Sequence, residues 1–209
     1  MSANPLQRAW RVLREEGWRS FWFKLLGDLG YRRLCLLECS LTEPIQVVKP
    51  KLAIDLDWLK PNELDEYLAV QPVRTRELFA DRLTRGDCCL IARHQGRIVA
   101  GMWACRHQAR ITYLERELRL ADGEVYTFDA FTAPEFRGQA IAPALSTELL
   151  RRFRDAGCQR ALRATAPENQ SALRAHAKAG FRPYARIGYL KLGPWRREFF
   201  RDRHRGLVR

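Results

Sequence analysis

Apolar and polar positions divide the chain into segments of clear period. Trp18, Phe21, Trp22, Leu25, Leu26 and Leu29 fall at i, i+3, i+4, i+7, i+8 and i+11, with Arg19, Lys24 and Asp28 elsewhere on the wheel, so residues 5–34 read as an amphipathic helix. A short apolar run over 34–41 reads as an extra strand, and 43–50, with a proline near each end, as a linker. Residues 52–56 read as the first strand of the main domain. Pro61 suits a helix start, which predicts helices over 62–68 and 75–83. Apolar runs over 88–92 and 97–105 flank His94-Gln95-Gly96, a hairpin signal. Residues 111–120 read as a third strand, joined through Ala121-Asp122-Gly123 to the next.

The middle of the chain organises the rest. Residues 125–132 read as a strand, 133–139 as a short loop, and the helix after it places Ile141, Leu145, Leu149 and Phe153 on one face, with Gly157 as its stop signal. A strand that runs through a small-residue loop into a helix leaves the first helical N–H groups without intrahelical partners. With the helix dipole behind them, those groups suit phosphate oxygens. A strand over 160–165 is followed by a helix for which Asn169 is a suitable N-cap. Lys178 then favours the last-turn dipole, Gly180 suits a left-handed stop, and Phe181 enters the core. Residues 184–192 read as the last strand, Gly193-Pro194 ends it, and the tail reads as partly helical or disordered.

Composition bounds the possibilities. A chain of 209 residues, 46% hydrophobic and 29% charged, suits one domain with an extension. No apolar run approaches the ~20 residues that span a bilayer, and the N-terminus lacks a signal peptide's apolar core. Cys35, Cys39, Cys88, Cys89, Cys105 and Cys158 form no zinc-ligand spacing and read as buried thiols, which makes a reducing cytoplasm the default location and predicts no metal. The formal charge is +13, of which residues 1–33 carry +4 and residues 193–209 another +4, so the excess sits mainly in the two ends. Such ends favour an anionic partner: a nucleotide-linked amino sugar, a membrane surface met by residues 5–34, or nucleic acid, for which no reading motif is present. The same N-terminal helix would equally pack on its own domain or on a second copy in a homodimer.

Two motifs carry a family resemblance. Arg137-Gly138-Gln139-Ala140-Ile141-Ala142 resembles the diphosphate-binding loop of the GNAT superfamily of acetyl-CoA-dependent N-acetyltransferases: Gln or Arg, two variable residues, Gly, one variable residue, then Gly or Ala. Ala140 departs by standing where glycine is usual. Further on, Asn169, Ala172, His176, Lys178, Gly180 and Phe181 are similar in order and spacing to the signature that closes the acetyl-CoA site in the same superfamily. The resemblance covers roughly residues 52–192 and implies an α/β (α+β) fold, with a mixed, mostly antiparallel sheet that splits at the motif strand and helices on both faces. The division it suggests is an extension over 1–50, a GNAT domain over 51–193 and a basic tail over 194–209.

The resemblance also implies chemistry. Acetyl-CoA, or another acyl-CoA, would be the cosubstrate, contacted by Phe131, Thr132, the Arg137–Ala142 loop, Asn169 and Ala172. A small-molecule amine would attack the thioester directly in a ternary complex, without a covalent acyl-enzyme. The base is often a carboxylate on the motif strand; Asp129 is the only acid in its middle, and alternation puts it on the face of Thr127 and Phe131. Relatives of polyamine type carry an acidic pair here, and Phe128 replaces its first member, so Asp129 reads either as catalytic or as a structural ion. His176 falls where many relatives have the tyrosine that protonates the thiolate; an imidazole titrating near neutrality could do that work, with Tyr184 and Tyr189 as substitutes. Set against these is a second reading, a degenerate GNAT domain that docks a membrane or partner, or binds acyl-CoA, without turnover.

Overall fold

The computed structural model describes residues 30–71 and 74–202. The amphipathic helix expected over 5–34 lies outside them except at its end, which is corrected: Gly30 turns the backbone at φ +99°, and Tyr31 already belongs to strand β1 (Tyr31–Ser40). A side chain could not replace that glycine, because a Cβ would come within 2.2 Å of the Lys191 carbonyl oxygen.

The chain continues through β2 (Asp55–Trp58), a 3-10 turn (Pro61–Glu63), α1 (Leu64–Val70), α2 (Arg76–Thr84), β3 (Cys88–His94) and β4 (Arg97–Cys105). There follow β5 (Gln108–Ile111), β6 (Arg116–Arg119), β7 (Glu124–Thr132), α3 (Ile141–Asp155), β8 (Arg160–Thr165), α4 (Gln170–Lys178), β9 (Arg182–Leu192) and β10 (Trp195–Asp202). Eight strands form one sheet in the order β10-β9-β1-β8-β7-β4-β3-β2, antiparallel throughout except for β7 and β8. This is the mixed, mostly antiparallel α/β architecture expected.

Local chemistry accounts for most elements. Thr75 caps α2 by accepting from the Leu78 N–H, and α3 buries Ile141, Leu145, Leu149 and Phe153 as its spacing requires. One face of the sheet packs Leu37, Leu90, Met102 and Val125 against α3, with Leu173 of α4 and Ala179, its C-cap, beside them. On the other face, Tyr67 of α1 and Phe79 of α2 close on Trp103 of β4. The Phe79 and Trp103 rings stack at 5.5 Å, and Trp103 Nε1 donates to the Tyr67 hydroxyl. The five cysteines Cys35, Cys39, Cys89, Cys105 and Cys158 are buried free thiols, and Cys88 is partly buried.

Three expectations are corrected. Residues 111–120 form no strand of the main sheet; β4 pairs directly with β7, and β5 and β6 make a separate hairpin around a 3-10 turn. The break is at Glu115, which adopts φ +51° while its carboxylate takes ion pairs from Arg32 and Arg196. Secondly, 184–192 is not the last strand: Gly193-Pro194 is a hairpin turn, and the tail returns as β10 along β9. The first strand of the domain also lies three residues later than expected, at β2, where Leu56 and Trp58 face the core.

The run over 34–41, read as an extra strand, is an interior one. β1 lies between β8 and β9, with Cys35 opposite both Thr165 and Arg186, so a cut at residue 50 would remove a middle strand of the sheet. Leu36 and Leu37 are 0% and 1% exposed on opposite faces. Leu37→Ala is therefore expected to cost about 2–5 kcal/mol, as for a core leucine; urea unfolding measures it, and a loss below about 1 kcal/mol would mean that β1 is peripheral.

Candidate active site

The loop after β7 is built around unusual backbone. A 3-10 turn (Pro134–Phe136) leads to Arg137, Gly138 takes φ +77°, and Ala140, the N-cap of α3, takes φ +58°. Left-handed backbone costs a non-glycine residue roughly 1–2 kcal/mol. Ala140 also supplies no side-chain cap. The first helical bond is from the Ala144 N–H to the Ala140 carbonyl, and Pro143 has no N–H. Among the described residues, the N–H groups of Gly138, Gln139, Ala140, Ile141 and Ala142 meet no acceptor. Five donors in succession at the positive end of a 15-residue helix form a cradle for anionic oxygens. A Cβ built on Gly138 would meet nothing within 4 Å, so the space above the loop is open.

Arg137 Nε donates to the Thr132 carbonyl at 3.3 Å, which ties the arginine back to the end of β7. The linker braces the other side: the Lys51 N–H donates to the Gln139 carbonyl at 2.9 Å, and His94 donates from Nδ1 to the Ala53 carbonyl while its ring packs edge-on against Phe136. Lys51 thereby adds an exposed cation beside the mouth of α3 that the motif did not reveal.

Behind the loop the sheet opens. β7 and β8 pair in parallel only at Glu124/Arg160, Val125/Ala161 and Tyr126/Leu162, after which the strands diverge. Arg163, the first residue past that point on β8, is 8% exposed. Its guanidinium donates from Nε to Thr127 Oγ1 at 2.9 Å, and from Nη2 to Ser146 Oγ at 3.2 Å and Met102 Sδ at 3.3 Å. Nη1 stands 3.1 Å from His176 Nδ1, and the group lies over the Phe181 ring. Among the described residues no carboxylate pairs with it. Burial draws its pKa down to about 10, so it remains a cation at neutral pH. Sequence reading missed this residue. Its one signal was an arginine at an inward position of β8, alternating with Ala161 and Thr165.

His176, two turns into α4, faces this cation. Burial first, and then the charge of Arg163, push the imidazole down to about 4. With Nδ1 accepting from Arg163, the proton resides on Nε2. His176 is thus neutral at pH 7, which differs from the neutral-range titration expected of it. Asn169 is exposed at the start of α4, where its Oδ1 accepts from the Ala172 N–H at 3.0 Å; the cap reading is realised and the amide nitrogen is left for other partners. Tyr184 and Tyr189 are buried in the cluster on the opposite face of the sheet, away from His176.

Asp129 lies where β7 bulges. Gly101 pairs with Phe131 and Trp103 with Phe128, so Asp129 and Ala130 together oppose Met102, and Asp129 takes φ +46°. The extra residue corrects the expected facing: the Asp129 carboxylate turns to the α2 side, where Arg82 holds Oδ2 at 2.7 Å and Arg74 approaches Oδ1 at 3.5 Å. Thr127 instead points to Arg163 on the α3 side. Arg82 is set in place by the rings of Phe79, Trp103 and Phe128 beneath it. Phe131 and Thr132 continue β7 towards the loop, both half-buried. The structure thus joins the end of β7 to the loop through Arg137 and Thr132, sets Asn169 at the cap of α4 with Ala172 and His176 along it, and turns Asp129 to the opposite face from Thr127.

Comparison with known proteins agrees with this arrangement. A model of the Acetyltransferase (GNAT) family matches residues 56–181, more than half of the chain. No curated protein matches it. Among solved structures, the GCN5-related glucosamine N-acetyltransferase region of a fungal multi-domain β-N-acetylglucosaminidase aligns over 80% of this chain and 22% of its own, at 16% identity and TM-score 0.59. A GCN5-related N-acetyltransferase from Sphaerobacter thermophilus aligns over 80% and 54%, at 18% identity and TM-score 0.56. An acetyltransferase from Trypanosoma brucei aligns over 67% and 100%, at 22% identity and TM-score 0.51. The chain therefore spans about a fifth and about half of the first two, and these likenesses speak for the fold. By its family match, its split sheet and the cradle at the mouth of α3, the chain belongs to the GNAT family of acetyltransferases.

Proposed function

We propose that the chain is an N-acetyltransferase that moves an acetyl, or other acyl, group from its coenzyme A thioester to a primary amine in a ternary complex. The observation that carries this reading is that, among the described residues, the five successive N–H groups from Gly138 to Ala142 meet no acceptor, in the loop that follows β7, the strand that parts from β8 beyond Tyr126. A diphosphate fits that donor set, with Arg137 and Lys51 adding charge at its rim. The carboxamide nitrogen of Asn169 and the backbone near Ala172 would steady the pantetheine arm as it enters the split, with Phe131 and Thr132 on its other side. When bound, the thioester supplies the activated carbonyl. The bulge on β7 turns ladder groups out of their pairing, and donors so placed favour negative charge developing on a carbonyl oxygen.

Asp129 is proposed as the acid that receives the amine. Arg82 is 10% exposed and close, whereas Arg74 is 46% exposed and more distant, so an incoming ammonium can take the place of Arg74 at Oδ1 without disturbing the Arg82 pair. Solvent then carries away the ammonium proton, and its loss makes the amine nucleophilic. Amino sugars head the acceptor classes to test, in view of the likeness to a glucosamine-acetylating region, and the positive ends of the chain favour acceptors bearing phosphate. The alternative of a docking module without turnover is separated by release of free thiol.

Calorimetry on the purified chain is expected to detect acetyl-CoA binding, and screening amines and amino sugars for thiol release is expected to find turnover. Heat without turnover on a broad panel would favour the module. Asp129→Asn is expected to raise the amine KM by about tenfold or more while leaving thioester affinity unchanged; an unchanged KM would remove Asp129 from the acceptor site.

Position 140 separates stability from function. Ala140→Gly relieves left-handed backbone at the cost of a freer unfolded chain, so a net gain of about 0.5–1 kcal/mol in urea unfolding is expected, with acetyl-CoA affinity kept. Ala140→Asp also tolerates the left-handed region and can cap α3, yet its carboxylate would face the diphosphate. Affinity for acetyl-CoA is expected to fall by about tenfold or more at undiminished stability. Unaltered affinity would show that the diphosphate binds elsewhere.

A further inference from the structure

Three of the five large apolar side chains exposed among the described residues lie on one hairpin: Leu190 at 41%, Leu192 at 64% and Trp195 at 80%. Trp195 pairs with Leu192 and Arg197 with Leu190, so these side chains share one face of the β9–β10 ribbon, with Phe199, Arg186 and Arg201 further along it. Arg186 also stands opposite Cys35, so this is the face that α4 covers over β1 and β8. Leu190, Leu192 and Trp195 belong to no core cluster of the described residues. The other face of the ribbon is braced: Arg196 lies over the Tyr189 ring at 4.2 Å, donates to the Leu114 carbonyl and pairs with Glu115.

The tip also stands clear of the sheet. Thr165, the last residue of β8, and Arg186 both lie opposite Cys35, so Leu192 extends six residues further, about 20 Å at the rise of a strand. β1 itself begins at Tyr31, opposite Leu190. A two-stranded ribbon has no core of its own, so folding alone gives no reason for leucine and tryptophan at its end. Its backbone is paired within the hairpin as far as Trp195 and Leu192, which a segment entering an apolar medium requires.

Charge indicates the partner. Arg186 and Arg201 lie directly opposite one another, a like-charge pair that destabilises a sheet unless an anion meets it. Glu198, the acid nearest the tip, is taken by Arg116 and Arg196 on the braced face. We infer that the ribbon is a docking finger for an anionic bilayer: Leu192 and Trp195 enter the headgroup layer, and Arg186, Lys191, Arg197 and Arg201 meet lipid phosphate. Tryptophan suits that depth, with an apolar body and one N–H donor, and each cation near an anionic surface adds to the attraction. A second copy pairing along β10 fits less well, because cations at 196, 197 and 201 guard that edge against strand addition. β7, β8 and β9 run the same way, so the bilayer meets the end of the sheet at which the loop after β7 lies. The contact uses none of the residues assigned to acetyl transfer, is independent of that reading, and needs no contribution from residues 1–29.

The test is co-sedimentation of the full chain with vesicles of phosphatidylcholine, either pure or mixed with phosphatidylglycerol. Binding to the mixed vesicles is expected to be about tenfold tighter or more than to the pure ones, and to weaken as salt rises. Leu192→Ser with Trp195→Ser is expected to lower affinity for mixed vesicles by about tenfold or more, with the urea midpoint unchanged. Lys191→Gln with Arg197→Gln should cost about tenfold on mixed vesicles and nothing on pure ones. Lipids brominated on their acyl chains should quench tryptophan fluorescence less in Trp195→Phe than in the unaltered chain. No binding to mixed vesicles, or binding that the serine pair leaves unchanged, overturns the inference. So does a dimer in light scattering that the serine pair converts to monomer, which gives the face to a second copy. A lowered urea midpoint in the serine pair also overturns it, by showing that the chain itself covers the tip.

Discussion

The shortness of the β7/β8 ladder is the constraint on which the site depends. Three residue pairs join the strands at one end, and beyond Tyr126 and Leu162 each must satisfy its backbone elsewhere or face a ligand. Every other strand contact in the large sheet is antiparallel and longer, so the weak seam falls in the middle of a rigid frame. Arg163, the first residue of β8 beyond the last pair, ties β8 to β7 through the Thr127 hydroxyl where the ladder has ended. α3 and α4 cover the fork from one face, which brings the start of each helix to the open end.

Non-glycine backbone in the left-handed region brackets this opening. Asp129 lies in the strand that enters the loop and Ala140 at the start of the helix that leaves it. Of the two, Asp129 is the better suited, since short polar side chains tolerate that region. Ala140 has no such excuse, and it neither caps α3 nor buries a large surface. Strain of this kind persists where surrounding structure over-determines it, and here the surroundings are the linker at Lys51, the bond from Arg137 to Thr132 and the packing of Phe136 on His94.

The fold was legible wherever periodicity and punctuation agreed. The four-residue spacing of Ile141, Leu145, Leu149 and Phe153, the hairpin at Gln95-Gly96 and the stop at Gly180 are all local signals, and each element they announce is present. Long-range choices were not legible. Nothing in Leu34 to Leu41 tells an added strand from a central one, since both are apolar on two faces; the difference lies in which edges of β8 and β9 are free. Residues 111–120 have the composition of one strand, yet left-handed backbone at Glu115 divides them: β5 ends at Ile111 and β6 begins at Arg116, while the Glu115 carboxylate pairs with Arg32 and Arg196, both far away in the chain. In the site, the diphosphate cradle is a local motif and could be read. The facing of Asp129 could not, because one bulged residue inverts alternation, and the state of His176 depends on an arginine from another element.

The interior position of β1 has a consequence for how the protein is made. Its partners on both sides, β8 and β9, are encoded more than a hundred residues downstream, so a nascent chain emerging from the ribosome exposes an apolar strand with no edge to join. The half of the sheet built from β2, β3, β4 and β7 can form on local contacts, whereas the half around β1 must wait for the last third of the polypeptide. Throughout that interval the strand from Tyr31 to Ser40 lacks the edges it joins in the finished sheet, and an unpaired apolar strand is open to pairing with other chains.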